Sequence, residues 1–485
     1  MTSNPQPPSP RPPPQLPFGN SNTFRGISEN FAFHSSPESF IASRIQQWQA
    51  QNPSALDTRA PIRAKILNRN VAVVSSYRQI EQILNATDED GEPPYIASKA
   101  YHELMTQFFP PPNLLLSDGC PHAKMRRGWD RRMEAFGSSP SDPHSSLSNA
   151  ISSFFSDGGC VPLNQPVNLY ETMKKLAWRV LLGSFLKLSP DDDEKIFEEV
   201  QRLHEVLLRG QFSLMPISVN TRFWQSPRSK GIQAREKLQE LIMQRLEVLR
   251  SAGSEAPFAK IQEEDCIEEI RDHLLMMTSS LAVKGLASLL TAFFLNVFLF
   301  DREGVRVADE LRSLDESGQT EERSRFLKSV CLETERLSPP IVGIMRRVAR
   351  DVLISGSDSG TDTLLPAGWD VWMYFVGAGR DPAVFGETCM SFDPSRYMKD
   401  AAPEPLGFGA GPKVCLGKNF LRDIALLTAE TCLASGLSLE GEVSKPGLKA
   451  WLGWNEAPPE QWAADVKQLP TQHPTAPVLV RFVRA

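Results

Sequence analysis

The sequence predicts a mainly α-helical chain with small β-sheets, from three observations. Helical hydrophobic periods dominate from about residue 120 onward. Strand-like alternation is confined to short pieces, the clearest being APIRAKILNRNVAVVSSY at 60–77. No internal repeat or long internal linker divides the 485 residues, of which 41% are hydrophobic and 23% charged, so one large core is expected.

Residues 1–25 open with MTSNPQPPSPRPPPQLPFGN, whose prolines favour extended chain, and they read as a disordered tail. Residues 26–485 read as a single domain. The tail has no apolar core of a signal peptide, so a cytoplasmic protein without a membrane anchor is expected. Residues 60–77 read as a strand pair. Helices are expected over 122–136, 166–186, 191–209, 228–251, 263–300, 304–315 and 322–337. The stretch RGQFSLMPISVNTRFW at 209–224 is apolar and carries a proline, which suits either a lid over a pocket or a plain connection. Gly, Asp and Pro break the helical pattern at 355–375 before a short apolar strand, and the last forty residues read as loops and short strands. LAVKGLASLLTAFFLNVFLF at 281–300 is long enough to cross a bilayer. Lys284 sits inside it, however, and the polar EEDCIEEIRDH leads into it, so a buried central helix is the expectation.

A net charge of −6 argues against wholesale nucleic-acid binding. The seven cysteines show no CxxC or zinc spacing and read as reduced thiols. Cys415 stands apart, in LGFGAGPKVCLGKNF at 406–420. Phe408, Gly411 and Gly417 frame it as F-x-x-G-x-x-x-C-x-G. Glycines allow positive φ and close approach to a flat partner. Backbone N–H groups could then aim at the sulfur, and a helix starting just after it adds a positive dipole end. Phe408 could shield the sulfur from water. No local histidine offers the base that a nucleophilic cysteine needs. These are the parts of a buried thiolate that ligates iron.

The stretch resembles the haem-ligand loop of the cytochrome P450 family, and further pieces follow the family's order. CLETERLSPP holds Glu333-x-x-Arg336, an i, i+3 pair on one helix face, and SFDPSRY supplies Arg396. In the family these three form a buried network bracing the ligand loop. DGCPHAKMRRGWDRRMEAF at 118–136 resembles the helix that contacts the haem propionates, with His122 and Arg126 at the matching positions. Two buried carboxylates need cationic or donor partners. Arg347, in IVGIMRRVARDV, matches another propionate contact, with Arg346 beside it. Lys413 stands where the family usually has arginine; it keeps the charge and loses the bidentate fork. The resemblance runs from about residue 60 to 485 and is weak in the N-terminal third.

That resemblance implies the cytochrome P450 fold and haem b with Cys415 as axial ligand. His122, Arg126, Arg347 and Lys413 would hold the propionates. It further implies a soluble monomer that takes electrons from NAD(P)H through a reductase. The activity implied is a monooxygenase oxidising a small apolar metabolite, with secondary-metabolite biosynthesis as the setting. The central helix departs from the family's acid–threonine motif. Ala282, Val283, Lys284, Gly285, Leu286 and Ala287 fall on it, so the acid becomes Gly285 and the threonine Leu286; a shift of one turn brings Ser280 or Ser288 closer. Two other functions therefore stay open: a haem-thiolate isomerase, dehydratase or peroxygenase that does not activate O₂, and a non-catalytic haem binder. Lys284 reads either as paired with a carboxylate of a neighbouring helix or as a direct contact to a substrate carboxylate or carbonyl. Lys124, Arg127, Arg131, Arg132, Lys413, Lys418 and Arg422 form a basic cluster, either a solvated face or a dock for an acidic reductase.

Overall fold

A computed structural model describes residues 22–51, 60–66, 69–87, 93–137, 143–213, 224–252, 258, 266–302, 304–355, 362–398, 402–441, 466–467 and 469–484. Most of the tail expected over 1–25 lies outside these residues; helix Asn22–Ser35 starts inside its last part. Residues 214–223 of the expected lid also lie outside them.

Nine helices frame the site: α1 (Tyr77–Asn85), α2 (Gly119–Gly137), α3 (Leu169–Leu186), α4 (Glu194–Gln211), α5 (Pro227–Ser251), α6 (Ile267–Met277), α7 (Ser280–Phe294), α8 (Thr320–Leu337) and α9 (Lys418–Ala434). Each helix expected from the periodicity is present to within a few residues at its ends. The central one is interrupted. Thr278 and Ser279 separate α6 from α7, and the Ser279 hydroxyl caps α7 by accepting from the Ala282 amide at 3.3 Å. A π-helical turn, Leu295–Leu299, extends α7. The span Ile267–Leu299 is long and apolar enough to cross a membrane, and 72% of its most apolar window is buried inside the protein. Val283, Leu286, Leu290, Phe293 and Phe294 are essentially inaccessible, which is why the helix is apolar on most sides.

The expected strand pair is present as β1 (Ile62–Ile66) and β2 (Arg69–Val74). These join β3 (Tyr95–Ile96), β4 (Gly343–Val348) and β5 (Asp370–Tyr374) in one sheet of order β1-β2-β5-β4-β3. In the antiparallel β4–β5 pair, Arg347 lies opposite Asp370 and Arg346 opposite Val371. A smaller sheet pairs Leu437–Gly441 with Leu479–Arg484, which in turn pairs with Pro166–Asn168.

Candidate functional site

Cys415 closes its loop through its amide, which donates to the Phe408 carbonyl at 2.8 Å. Gly411 has φ +65°, and a Cβ there would stand 2.4 Å from the Leu84 carbonyl oxygen at the end of α1. Glycine is required at 411 on both counts. Gly417 is different. Its φ of −86° is ordinary and it begins α9, so its value lies in its amide, which with that of Lys418 donates to the Cys415 sulfur. Phe408 stands over the Arg422 guanidinium, 5.6 Å from ring centroid to charge.

The sulfur is accessible, yet its surroundings are dense enough that burial pushes the thiol pKa up, opposed by those two amides and by Arg126 and Lys418. A cavity of about 480 Å³ reaches Cys415 between α2 and the start of α9, lined also by Arg126, Phe136, Leu147 and Phe420.

A second cavity, about 210 Å³, lies beyond the loop and is lined by His122, Arg346, Lys413, Tyr95 and Asp118. His122 is 4% exposed, and its ring makes no hydrogen bond among the described residues. Burial, then the charges of Lys413 and Arg126, pull its pKa down to about 4, so the imidazole is neutral at pH 7. Arg346 is 8% exposed and, among the described residues, donates only to the Met345 carbonyl.

Arg347 does not reach this cluster. It pairs with buried Asp370 directly across the ladder. Side chains alternate along a strand, so the two neighbours point to opposite faces, and Arg346 is the one beside His122. Lys413 has partners of its own. Its ammonium donates to the carbonyls of Leu114 and Ser117 and stands 3.4 Å from Asp118. Its three donors are spent tying the cysteine loop to the segment before α2, and burial lowers its pKa to about 8. Arg126 donates to the Val414 carbonyl, next to the cysteine, and to Asp130 at 2.7 Å.

Glu333, Arg336 and Arg396 come together. Arg336 donates twice to Glu333, at 2.7 and 2.6 Å, and to the carbonyls of Gly379, Cys389 and Ser391. Arg396 reaches Glu333 at 3.3 Å, and the Asp393 amide donates to the same carboxylate at 2.8 Å. Sequence reasoning missed a second network beside it. Arg422 of α9 bridges Glu335 at 2.6 and 2.7 Å and Glu404 at 2.6 Å, and Lys418 joins Glu404 at 2.7 Å. The signal was available, since Glu335 is the interior residue of the ETER run.

This network dissolves much of the expected basic cluster. Lys413, Lys418 and Arg422 are committed to carboxylates, leaving Lys124, Arg127 and Arg131 exposed on α2 and Arg132 over the Trp129 ring at 5.8 Å. Lys284 likewise has a carboxylate neighbour, Glu205 of α4, at 3.5 Å. At about 3.6 residues per turn, Leu281, Gly285 and Ser288 share one stripe of α7. A Cβ at Gly285 would meet nothing within 4 Å, and the Ser288 hydroxyl is buried without a partner. No Asp or Glu occurs in α7.

These residues fit a haem: an accessible cysteine sulfur held by two amides, and a buried arginine and neutral imidazole with donors to spare for carboxylates. A family model, cytochrome P450, matches residues 319–435, which include Glu333, Arg336, Arg396 and Cys415. The chain is 24% identical over 277 residues to cytochrome P450 85A1 of Solanum lycopersicum, covering 53% of this chain and 56% of that protein. It is 26% identical over 282 residues to beta-amyrin 28-monooxygenase of Barbarea vulgaris, covering 52% and 54%. The matched part thus spans about half the length of these relatives. Among solved structures, a retinoic acid-bound cyanobacterial CYP120A1 superposes with a TM-score of 0.71 at 18% identity, covering 94% of this chain and 96% of that one.

Proposed function

We propose that the chain is a member of the cytochrome P450 family, whose model matches residues 319–435, and that residues 26–485 form one haem-thiolate monooxygenase domain acting on a small apolar metabolite. The observation that carries this reading is the accessible Cys415 sulfur with the Gly417 and Lys418 amides upon it. When bound, the haem supplies oxygen activation and a two-electron oxidation. The chain's own residues do the rest. Cys415 would ligate the iron as thiolate, a charge that burial disfavours and that the two amides, Arg126 and Lys418 favour. Arg346, His122 and the remaining donors of Arg126 hold the propionates. The Glu333–Arg336–Arg396 network fixes the segment that precedes the ligand loop. Ser288, buried with a partnerless hydroxyl on the Gly285 stripe, is the group on α7 able to hold a water or a proton. Electrons come from NAD(P)H through a reductase, met by the exposed cations of α2. A place in secondary-metabolite biosynthesis is supported by relatives such as the beta-amyrin monooxygenase.

A second reading is favoured by the lack of any carboxylate on α7: a redox-neutral rearrangement or dehydration, or use of a peroxide. One experiment separates them. Purified enzyme is added to an extract of a strain lacking this protein, in two reactions: one with O₂, NADPH and a reductase, the other anaerobic without electrons. Product only in the first supports the monooxygenase, and product in both supports the redox-neutral reading. In parallel, Cys415→Ala must lose the thiolate signature of the reduced carbon-monoxide spectrum; its retention would remove the basis of both readings.

A further inference from the structure

Lys284 is the one charged residue of α7, and its ammonium is poorly partnered. Its Nζ stands 3.5 Å from Glu205 Oε2, and Lys174 Nζ stands 3.5 Å from Oε1 of the same carboxylate. A charge-assisted hydrogen bond is about 2.7–2.9 Å, so two ammoniums share one carboxylate at looser range. Glu205 Oε1 makes no hydrogen bond. Arg209, one turn farther along α4, adds positive charge at Lys284 and forms no ion pair among the described residues. Glu171, at the rim, stands 3.7 Å from Lys174. Two ammoniums therefore share Glu205, and the exposed Arg209 adds positive charge nearby.

The surroundings also offer unspent polar groups. Tyr170 stacks on His473, with centroids 5.6 Å apart and rings at 20°. Tyr170 is 7% exposed, and its hydroxyl has no partner and lies in the field of Glu171 and Glu205. Ser280, one turn before Lys284, is 1% exposed and its hydroxyl is also unpartnered. His473, whose pKa burial lowers, adds no negative charge. The rest of α7 around Lys284 is apolar: Leu281, Ala282, Val283 and Gly285.

We propose that this junction of α3, α4, α7 and the His473 strand recognises a carboxylate carried on an apolar ligand, which replaces Glu205 as the partner of Lys284. An ammonium only 23% exposed, held to Glu205 by one long contact at 3.5 Å, gains from an anion that comes closer. Lys174 keeps Glu205 neutralised during the exchange, and the Tyr170 hydroxyl supplies a further donor to the incoming anion. The proposal narrows the substrate class of the reading above, yet its own support is this geometry.

The test is calorimetric titration of the purified haem-loaded protein with decanoate and with decan-1-ol. Decanoate is expected to bind at least tenfold tighter than the alcohol. Lys284→Met should bring the two affinities together, Lys284→Arg should retain the preference, and Glu205→Gln should strengthen decanoate binding alone. Equal affinities in the parent protein, or a preference that survives Lys284→Met, would overturn the proposal. The carbon-monoxide spectrum and thermal melt of each variant report separately on the haem site and the fold, so a failed haem reading is not mistaken for a failed carboxylate site.

Discussion

Glu333 and Arg336 have no exposed side-chain surface, so neither charge has water to fall back on. Breaking a buried pair by removing one partner costs about 3–5 kcal/mol, because the other charge stays behind. Glu333→Gln is expected to lose stability of that order in urea unfolding and to release the Asp393 amide as well as Arg396. Arg396→Lys should cost less, since Arg336 alone keeps Glu333 paired. Equal losses in the two variants would contradict the assignment of Arg336 as the principal partner. At the same scale, Arg346 and Arg347 show how far a motif carries. Adjacent arginines are equivalent as letters, and only the pleat of β4 sends one to Asp370 and the other to the His122 cavity.

At the scale of the element, the cysteine loop is held by backbone conformation as much as by side chains. Gly409 and Gly411 both have positive φ, +73° and +65°. A Cβ at 409 would find its nearest neighbour at 3.8 Å, whereas one at 411 would meet the Leu84 carbonyl at 2.4 Å. Gly409→Ala should therefore cost only the backbone strain of φ +73°, ψ −174°, a region nearly confined to glycine, about 1–3 kcal/mol. Gly411→Ala should cost more, and it should displace the loop from α1 and weaken haem retention. Comparable stability and haem content in both variants would show that the contact with α1 does not hold the loop. The central helix belongs to this scale too. Its periodicity marks one continuous apolar run, but the Ser279 cap divides it, its hydroxyl accepting from the Ala282 amide where a new helix starts.

At the scale of the molecule, acid stability depends on imidazoles that fold without charge. His204 is fully buried, shares a 3.2 Å contact with Thr278 Oγ1, and is brought by burial to a pKa of about 3. The unfolded chain binds its proton near pH 6.5, so between about pH 6.5 and 3 the unfolded state holds more protons and stability falls as pH falls. From pH 7 to pH 5 this one group should remove about 2 kcal/mol, from about 1.4 kcal/mol per unit below 6.5. Urea unfolding at the two pH values should show that His204→Phe loses less stability on acidification than the parent by about this amount. An identical drop would mean that His204 is not the neutral buried group described.

The sequence by itself determined the fold class, the order and extent of most helices, the β1–β2 pair, and the cysteine with its supporting Glu333, Arg336 and Arg396. The first three are legible because helical period and strand alternation are local properties of the chain, and the last because its motifs resemble those of a known family. Only the tertiary structure decided which charges meet. Lys413 ties the cysteine loop to the Leu114–Asp118 segment, Arg346 rather than Arg347 faces His122, Arg422 crosses from α9 to Glu335, and Lys284 faces Glu205. The partners in these contacts lie up to about 300 residues apart in the chain. A charge's partner depends on which faces the packed helices and strands bring within a few ångströms, and no periodicity or motif records that distance.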